Sequence, residues 1–341
     1  MRRILLLIIG LGGGLLVAQK YQVVVDSTGY NCGFRGLCAV NNKVAWVCGS
    51  LGTVGKTTNG GSTWTMQKVL DSTKSEIRDI EAWDEDNAII LSVKDPAQIL
   101  KTSDGGKTWK EVYTATKFET FLNGFAFWDK NQGIAYGDPI DGHFEILTTT
   151  DGGETWQQLV KEHSPKATKD EAGFASSGTG ICVGKKGKVW FGTGGNASHI
   201  FVSHDYGQTW KHHETHITHG MSSKGINSIV FVDDNIGVAV GGDFTAPDIT
   251  DKNYSVTTDG GATWHIPDKH KHPSGYRSCV DFITKTTFIA VGKNGIDISY
   301  DGGYNWEVVS TQGFLTIDES RSGTTIFLAG TNVLGRLILA K

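Results

Sequence analysis

The chain has 341 residues, 45 of them glycine and only six proline, and its formal net charge is −4. Glycine is near twice its usual share, but the strict period and high proline content of collagen are missing. Ten tryptophans, nine tyrosines and 15 phenylalanines exclude a disordered chain, and the lack of a basic excess argues against nucleic acid as a partner. The composition indicates a globular protein with many tight turns and short strands.

The first 19 residues have the pattern of a secretory signal peptide. A basic start at residues 1–3 precedes an apolar run of 14 residues at 4–17, which is shorter than the ~20 residues of a spanning helix. We expect cleavage after Ala18 or Gln19, export to the periplasm or the cell exterior, and a single domain over residues 20–341. An uncleaved N-terminal anchor is the alternative, and no later apolar segment is long enough to span a membrane.

Export would make disulfides chemically accessible to the five cysteines. Cys32, Cys38 and Cys48 are close enough in sequence to supply one bridge, although an odd number of cysteines cannot all pair within one chain. Cys182 and Cys279 fall in apolar strand patterns and are expected in the core. None of the five has the spacing of a metal site.

One eight-residue phrase recurs six times, and its tryptophans lie 42 to 54 residues apart. The copies read TTNGGSTW (57–64), TSDGGKTW (102–109), TTDGGETW (149–156), SHDYGQTW (203–210), TTDGGATW (257–264) and SYDGGYNW (299–306). The aspartate can accept hydrogen bonds from following amides, and the glycines supply positive φ. Each copy therefore predicts a β-hairpin turn, after which the tryptophan begins a strand and buries its ring.

Four predicted strands, A to D, surround each copy, with the phrase between strands C and D. Strand A begins at Phe34, Ile77, Leu122, Thr179, Ile226 and Tyr276, and a seventh unit from Phe314 to the C-terminus has only three strands. Residues 21–26 can supply the missing strand, which would close the last unit with the first strand and leave no free edge. Units of this length are typical of propeller blades. The sequence therefore predicts an all-β, seven-bladed β-propeller closed by its N-terminal strand.

The repeated phrase is similar to the Asp-box, or BNR repeat, of sialidases and other propellers. The strand starts FRGLCAV (34–40), IRDIEAW (77–83) and YRSCVDF (276–282) carry a closer likeness. With them the chain resembles the photosystem II assembly and stability factor-like family among the WD40/YVTN/BNR-like proteins, over nearly all of its mature length. The resemblance implies a propeller with a binding or assembly role, although no residue here points to a photosynthetic partner.

Loop lengths indicate which face of the ring carries the function. The A–B turns and the Asp-boxes share one face, which we call the Asp-box face, and there the turns are short. The D–A connections 161–173, 211–225 and 265–275 and the B–C loop 242–252 are long and share the opposite face, which we call the strand-A face. Function on a rigid scaffold usually resides in elaborated loops, so we expect the Asp-boxes to be structural.

Eight polar residues at equivalent strand-A starts or in B–C loops are the predicted ligand-binding residues of that face: Arg35, Arg78, Asn123, Asp138, Asp141, Asn227, Asp243 and Arg277. Three of them are arginines, from blades 6, 1 and 2 of the consecutive run of blades 6, 7, 1 and 2, so they are expected to cluster at one side of the channel mouth. Planar guanidinium groups suit carboxylate or phosphate ligands. We expect a non-enzymatic scaffold, monomeric and without cofactor or metal, that binds a protein segment, an anionic small ligand or a glycan. The alternative is that each arginine pairs with a local carboxylate such as Asp79 or Asp281.

A sialidase-like glycoside hydrolase on the same face is the second hypothesis, because paired carboxylates can act as acid and base. Against it, the early Arg-Ile-Pro motif of sialidases is missing and no Tyr–Glu nucleophile pair is recognisable. Nine of 11 histidines lie between His199 and His272, so a metal site in adjacent loops competes with solvated loop histidines. Redox chemistry has no Gly-x-Gly-x-x-Gly or C-x-x-C-H motif to support it.

Overall fold

The computed structural model describes residues 21–27, 29–70, 75–94, 96–267, 270–321 and 324–339; the predicted signal peptide at 1–19 lies outside them. These residues form seven β-sheets. The inner strand of each sheet contacts the inner strands of the sheets before and after it, and the seventh contacts the first. The predicted all-β, seven-bladed propeller is confirmed.

In the first three blades, the strands follow one another in chain order from the inner to the outer edge of the sheet. Strand β1 is Tyr21–Ser27, and blade 1 holds β2 Phe34–Ala39, β3 Ala45–Gly49, β4 Thr53–Thr57 and β5 Thr65–Lys68. Blade 2 holds β6 Ile77–Ala82, β7 Ala88–Ser92, β8 Gln98–Thr102 and β9 Lys110–Thr114. Blade 3 holds β10 Leu122–Phe127, β11 Gly133–Ile140, β12 His143–Thr149 and β13 Gln157–Gln158.

The second half of the ring is less regular. The short strands β14 Glu171–Ala172 and β17 Gly194–Gly195 lie beside blade 4, which holds β15 Ile181–Val183, a 3₁₀ turn Lys185–Gly187, β16 Val189–Gly192, β18 His199–Ser203 and β19 Lys211–Glu214. Blade 5 holds β20 Met221–Phe231, β21 Gly237–Asp243 and β22 Tyr254–Thr257. Blade 6 holds β23 Cys279–Thr284, β24 Thr287–Gly292, β25 Gly295–Ser299 and β26 Glu307–Ser310, and blade 7 holds β27 Thr316–Glu319, β28 Ile326–Gly330 and β29 Val333–Leu339.

Strand β1 completes blade 7. It pairs antiparallel with β29 over its whole length, from Tyr21 opposite Leu339 to Ser27 opposite Val333, in a sheet of order β1-β29-β28-β27. Tyr21 is buried in the same apolar cluster as Phe314 and Leu337. The predicted closure by the N-terminal strand is therefore confirmed.

Each Asp-box is a hydrogen-bonded hairpin, as the second copy illustrates. Asp104 Oδ1 accepts the Thr108 amide at 2.9 Å, and the Gly106 amide donates to Thr102 Oγ1 at 3.0 Å. Gly105 and Gly106 have φ of +75° and +85°, which side chains rarely tolerate. The Gly105 amide donates to Asp86 O in the A–B turn of the same blade. The Asp-boxes thus lie on the A–B-turn face and are structural, as predicted.

Blade 5 departs from the predicted four strands. Its outer strand is reduced to a single bridge between Val256 and His265. Pro267, which has no amide hydrogen to donate, stands two residues after His265. At the other edge β20 extends to 11 residues and pairs with β17, which pairs with β14. The strands β14 and β17 thus extend the sheet of blade 5 on the strand-A face.

All five cysteines lie in the described ranges and carry free thiols, so the bridge considered among Cys32, Cys38 and Cys48 does not form. Cys38 instead holds a seam between blades, because its sulfur accepts the Ala82 amide at 3.3 Å. Cys279 is fully buried and Cys182 half-buried. Among the described residues, no helix is long and apolar enough to cross a membrane.

Carboxylates hold three further seams around the channel, Asp79 buried and Asp281 and Asp318 partly buried. Asp79 Oδ2 accepts the Phe125 amide of blade 3 at 2.8 Å, Asp281 Oδ2 the Glu319 amide of blade 7 at 3.1 Å, and Asp318 Oδ2 the Ala39 amide of blade 1 at 2.6 Å. Among the described residues neither Asp79 nor Asp281 pairs with an arginine. The alternative of local carboxylate partners nevertheless holds for two arginines, because Arg78 pairs with Glu76 and Arg277 with Asp297.

Burial of the carboxyl groups at the seam between blades 6 and 7 predicts that the free energy of unfolding falls as the pH rises. Burial raises the pKa of Asp281 to about 6 and that of Glu319 to about 7. Both values exceed those of an unfolded chain, so protonation of the two groups favours the folded state. This contribution to the free energy of unfolding is fully present below pH about 4 and is lost as the pH rises through 6 and 7. Urea unfolding from pH about 4 to 8 should show this decline, and D281N should flatten its lower part. Parallel profiles for the two proteins would contradict the assignment.

Candidate functional site

A short segment closes the central channel at the strand-A face. Residues 173–178, which we call the plug, precede blade 4 and lie across the channel mouth. Ser177 Oγ donates to Ser278 O of blade 6 at 2.8 Å, and the plug also bonds to blades 1, 2, 3, 5 and 7. Gly178 has φ +77°, and a Cβ there would lie 2.3 Å from the Asp79 carboxylate, so only glycine fits. The plug makes this mouth a cavity instead of an open pore.

Two of the three predicted arginines line this cavity. Arg35 Nη1 donates to Ser176 O at 3.2 Å, and Arg78 Nη1 to Ala175 O at 3.1 Å. Arg78 also pairs with Glu76 at 3.3 Å, and its side chain is 26% exposed. Each guanidinium thus fixes the plug with one N–H and has further donors left. The arginines position the plug and face the cavity at once.

Asp138 of blade 3 also lines the cavity. Its Oδ1 accepts the side-chain amide of Asn123 at 2.8 Å and the Gly173 amide at 3.0 Å. Burial raises the pKa of Asp138. Asn123 is itself buried, so it orients Asp138 and does not reach the cavity.

Arg277 does not join the other two arginines. It is fully buried, and its guanidinium pairs with Asp297, with Nε donating to Oδ2 at 2.6 Å. The corresponding strand-C positions of blades 1 and 2 hold Gly55 and Leu100, so of these three blades only blade 6 has a carboxylate at this strand-C position. The expected cluster of three arginines at the mouth is therefore wrong. The sequence signal that could have shown this is Asp297, which stands at a strand-C position that holds no charged residue in blades 1 and 2.

The remaining predicted residues have structural roles. Asp141, with φ +52°, forms the tight turn between β11 and β12 and lies 3.5 Å from Lys161 in an exposed ion pair. Asp243 Oδ1 accepts the Thr245 amide at 2.9 Å. Asn227 is buried and accepts the Tyr276 hydroxyl at 2.9 Å. Of the eight predicted residues, Arg35, Arg78 and Asp138 line the cavity.

The cavity has a volume of about 390 Å³ and a mixed aromatic and charged lining. Phe244 is one of the lining residues, and its ring centroid is 6.2 Å from that of Phe174 and 6.5 Å from that of Tyr276. Lys293 Nζ sits 5.6 Å above the Phe244 ring. Besides Asp138, Asp170 also lines the cavity, so three cationic side chains face two carboxyl groups.

Four exposed apolar side chains lie in loops or strand ends of the strand-A face. Phe118 in the D–A connection before β10 is 90% exposed, and Met221 at the start of β20 is 55% exposed. Val160 and Ile249, also in loops of this face, are more than half exposed.

Several carboxylates and histidines of the long loops have partners inside the protein. Glu171, in the long D–A connection, accepts hydrogen bonds from His199 Nδ1 at 3.0 Å and from the Thr193 hydroxyl at 2.5 Å. Asp141 and Asp243 form turns, so of the predicted carboxylates only Asp138 lines the cavity, where Asp170 joins it. Within the described ranges, no three His, Cys, Asp or Glu side chains form a group able to hold a metal ion.

Sequence reasoning missed the plug and the aromatic wall. The unusual length of the connection before blade 4 was one signal for the plug, and its run of small residues, Ala-Ser-Ser-Gly at 175–178, was another. Phe244 and Lys293 lie in B–C loops, where residue type alone does not reveal which side chains turn inward. They are recognisable only once blades 5 and 6 are placed side by side.

Comparison with known proteins agrees with this architecture. The family model for the BNR/Asp-box repeat matches residues 201–212, around the fourth Asp-box. No protein of curated function matches the sequence significantly. Among solved structures, YCF48 bound to D1 peptide aligns with a TM-score of 0.67 at 17% identity, covering 95% of this chain and 97% of that one.

Two further structures align over almost their full lengths. YCF48 from Cyanidioschyzon merolae has a TM-score of 0.62 at 17% identity, covering 93% of this chain and 98% of that one. The WD40 β-propeller domain of Doa1 has a TM-score of 0.63 at 12% identity, covering 94% and 98%. The predicted resemblance is confirmed at the level of the fold: this chain is a seven-bladed BNR/Asp-box propeller with the architecture of the YCF48 structures.

Proposed function

We propose that this protein is a non-enzymatic scaffold that binds an extended segment of a partner protein in the strand-A-face cavity. The observation that carries the proposal is the cavity itself, in which Arg35, Arg78 and Lys293 stand beside an aromatic wall around Phe244. Aromatic side chains and arginine are the residues that dominate binding energy at protein interfaces. The plug bars the channel, so a ligand lies across the face.

The charge of the cavity favours an acidic segment. Its three cationic groups outnumber the carboxyl groups of Asp138 and Asp170, and burial disfavours the charged form of Asp138. Phe118 and Met221 outside the cavity offer apolar contacts to flanking residues of the partner. The similar YCF48 propeller was solved bound to D1 peptide, which supports peptide recognition by this fold. We also propose export, on the signal-peptide pattern of residues 1–19; N-terminal sequencing of the mature protein tests it.

Peptides selected on the immobilised protein from a random-sequence display library provide the test. By fluorescence anisotropy, R78A should weaken binding of the selected peptides about tenfold, as loss of one charge-assisted contact predicts. Arg78 is partly exposed, so the variant should fold. K110A, which changes an exposed lysine on the outer strand of blade 2, is the matched control. Equal affinity for R78A and the unmodified protein, or failure to select any peptide, would contradict the proposal.

A further inference from the structure

The fourth Asp-box differs from the other five at a position where glycine is otherwise invariant in this chain. Tyr206 replaces the first glycine and retains a positive φ of +60°, a conformation that disfavours a side chain. Its amide still donates to Gly187 O in the facing A–B turn, where Lys186 also has a positive φ, +55°. The hairpin is therefore intact, and its geometry alone does not call for a tyrosine.

The Tyr206 ring forms an aromatic platform on the Asp-box face. It covers Gly187, where a Cβ would lie 2.6 Å from the ring, and its centroid is 5.0 Å from that of Trp128 at an interplanar angle of 66°. Trp128 is fixed because its Nε1 donates to Lys188 O at 2.7 Å. Tyr206 nevertheless remains 40% exposed, so a rigid ring surface faces solvent.

A groove of about 480 Å³ adjoins this platform between blades 3, 4 and 5. Asp129 and Asp233 each use Oδ1 to accept two amides of their own turns, and those bonds lower the pKa of both carboxyls. Within the described ranges, Oδ2 of each has no hydrogen-bond partner. The groove therefore presents two fixed acceptors, with the side-chain amide of Gln132 beside them.

The charges of the groove are balanced. Asp234 pairs with Lys188 at 3.6 Å, and the exposed Lys185 and Lys186 offset Asp129 and Asp233. An ionic ligand would gain little from such a field, and a purely apolar one would leave the polar lining without partners. The groove instead combines donors, acceptors and an aromatic surface.

We propose that this groove binds a neutral oligosaccharide. Sugar hydroxyl groups donate to the Asp129 and Asp233 carboxylates and accept from the lysine ammonium groups, while the apolar face of a pyranose ring packs on Tyr206. The site lies on the face opposite the peptide cavity, so both can be occupied together.

Isothermal titration and saturation-transfer NMR with cellotetraose, chitotetraose and maltotetraose test the proposal. At least one should bind with millimolar or better affinity, and Y206G should weaken it about tenfold or more. Y206G restores the glycine of the other Asp-boxes and should keep the thermal stability. Y300A, which removes an exposed tyrosine of the sixth Asp-box outside the groove, should bind normally. Absence of binding by all three sugars, or equal binding by Y206G, would overturn the proposal.

Discussion

Replacing Arg277 with alanine is expected to lower the free energy of unfolding by about 3–5 kcal/mol, the cost of breaking a buried ion pair by removing one partner. The Arg277 side chain is fully buried, and it donates to Asp297, to Tyr276 O at 2.8 Å and to Asn294 at 2.6 Å. Its loss leaves the Asp297 carboxylate, which is only 1% exposed, with too few donors for its charge.

Urea unfolding of R277A against the unmodified protein measures this cost. K110A is again the matched control, because Lys110 forms an ion pair with Glu154 at 2.9 Å while 70% exposed, and exposed pairs contribute at most about 1 kcal/mol. Equal stabilities of R277A and K110A would show that Arg277 is not the internal brace that its contacts indicate.

Removing residues 21–27 is expected to lower the free energy of unfolding by on the order of 5 kcal/mol, a large share of a domain's stability. The deletion removes buried Tyr21 from its cluster with Phe314 and Leu337 and exposes the edge of β29, which β1 pairs over seven residues. Blade 7 would keep three strands, and the ring would lose its closure.

Thermal unfolding followed by circular dichroism checks this result. Val25 is 39% exposed on the same strand, so V25T should change stability by no more than about 0.5 kcal/mol. An unchanged melting temperature in the truncated protein would contradict closure by β1.

The blades were predictable because their information is local. Each Asp-box specifies its own hairpin through local hydrogen bonds, such as those that the Thr108 amide and hydroxyl donate to the Asp104 carboxylate, and six copies fix the repeat length. The closing role of β1 followed from a strand pattern at one terminus and a missing strand at the other.

The site was predictable only in part, because its partners are distant in sequence. Arg35 meets Ser176 across 141 positions, and no local pattern identifies that contact. Alignment of strand starts located Arg35 and Arg78 but also included Arg277, since it cannot tell a guanidinium facing a cavity from one held by Asp297. Asp141 was misjudged because the Asp-Gly pair at 141–142 is a hairpin turn with positive φ at both residues.

Hydrogen–deuterium exchange with a selected peptide bound tests the central claim most directly, since it locates the binding face without any substitution. Peptide binding should slow exchange in residues 172–178 and in the neighbouring loops that carry Phe244 and Lys293, which line or flank the cavity. The Asp-box hairpins should exchange at unchanged rates. Slowed exchange confined to the Asp-box hairpins or the outer strands would contradict peptide recognition at the strand-A face.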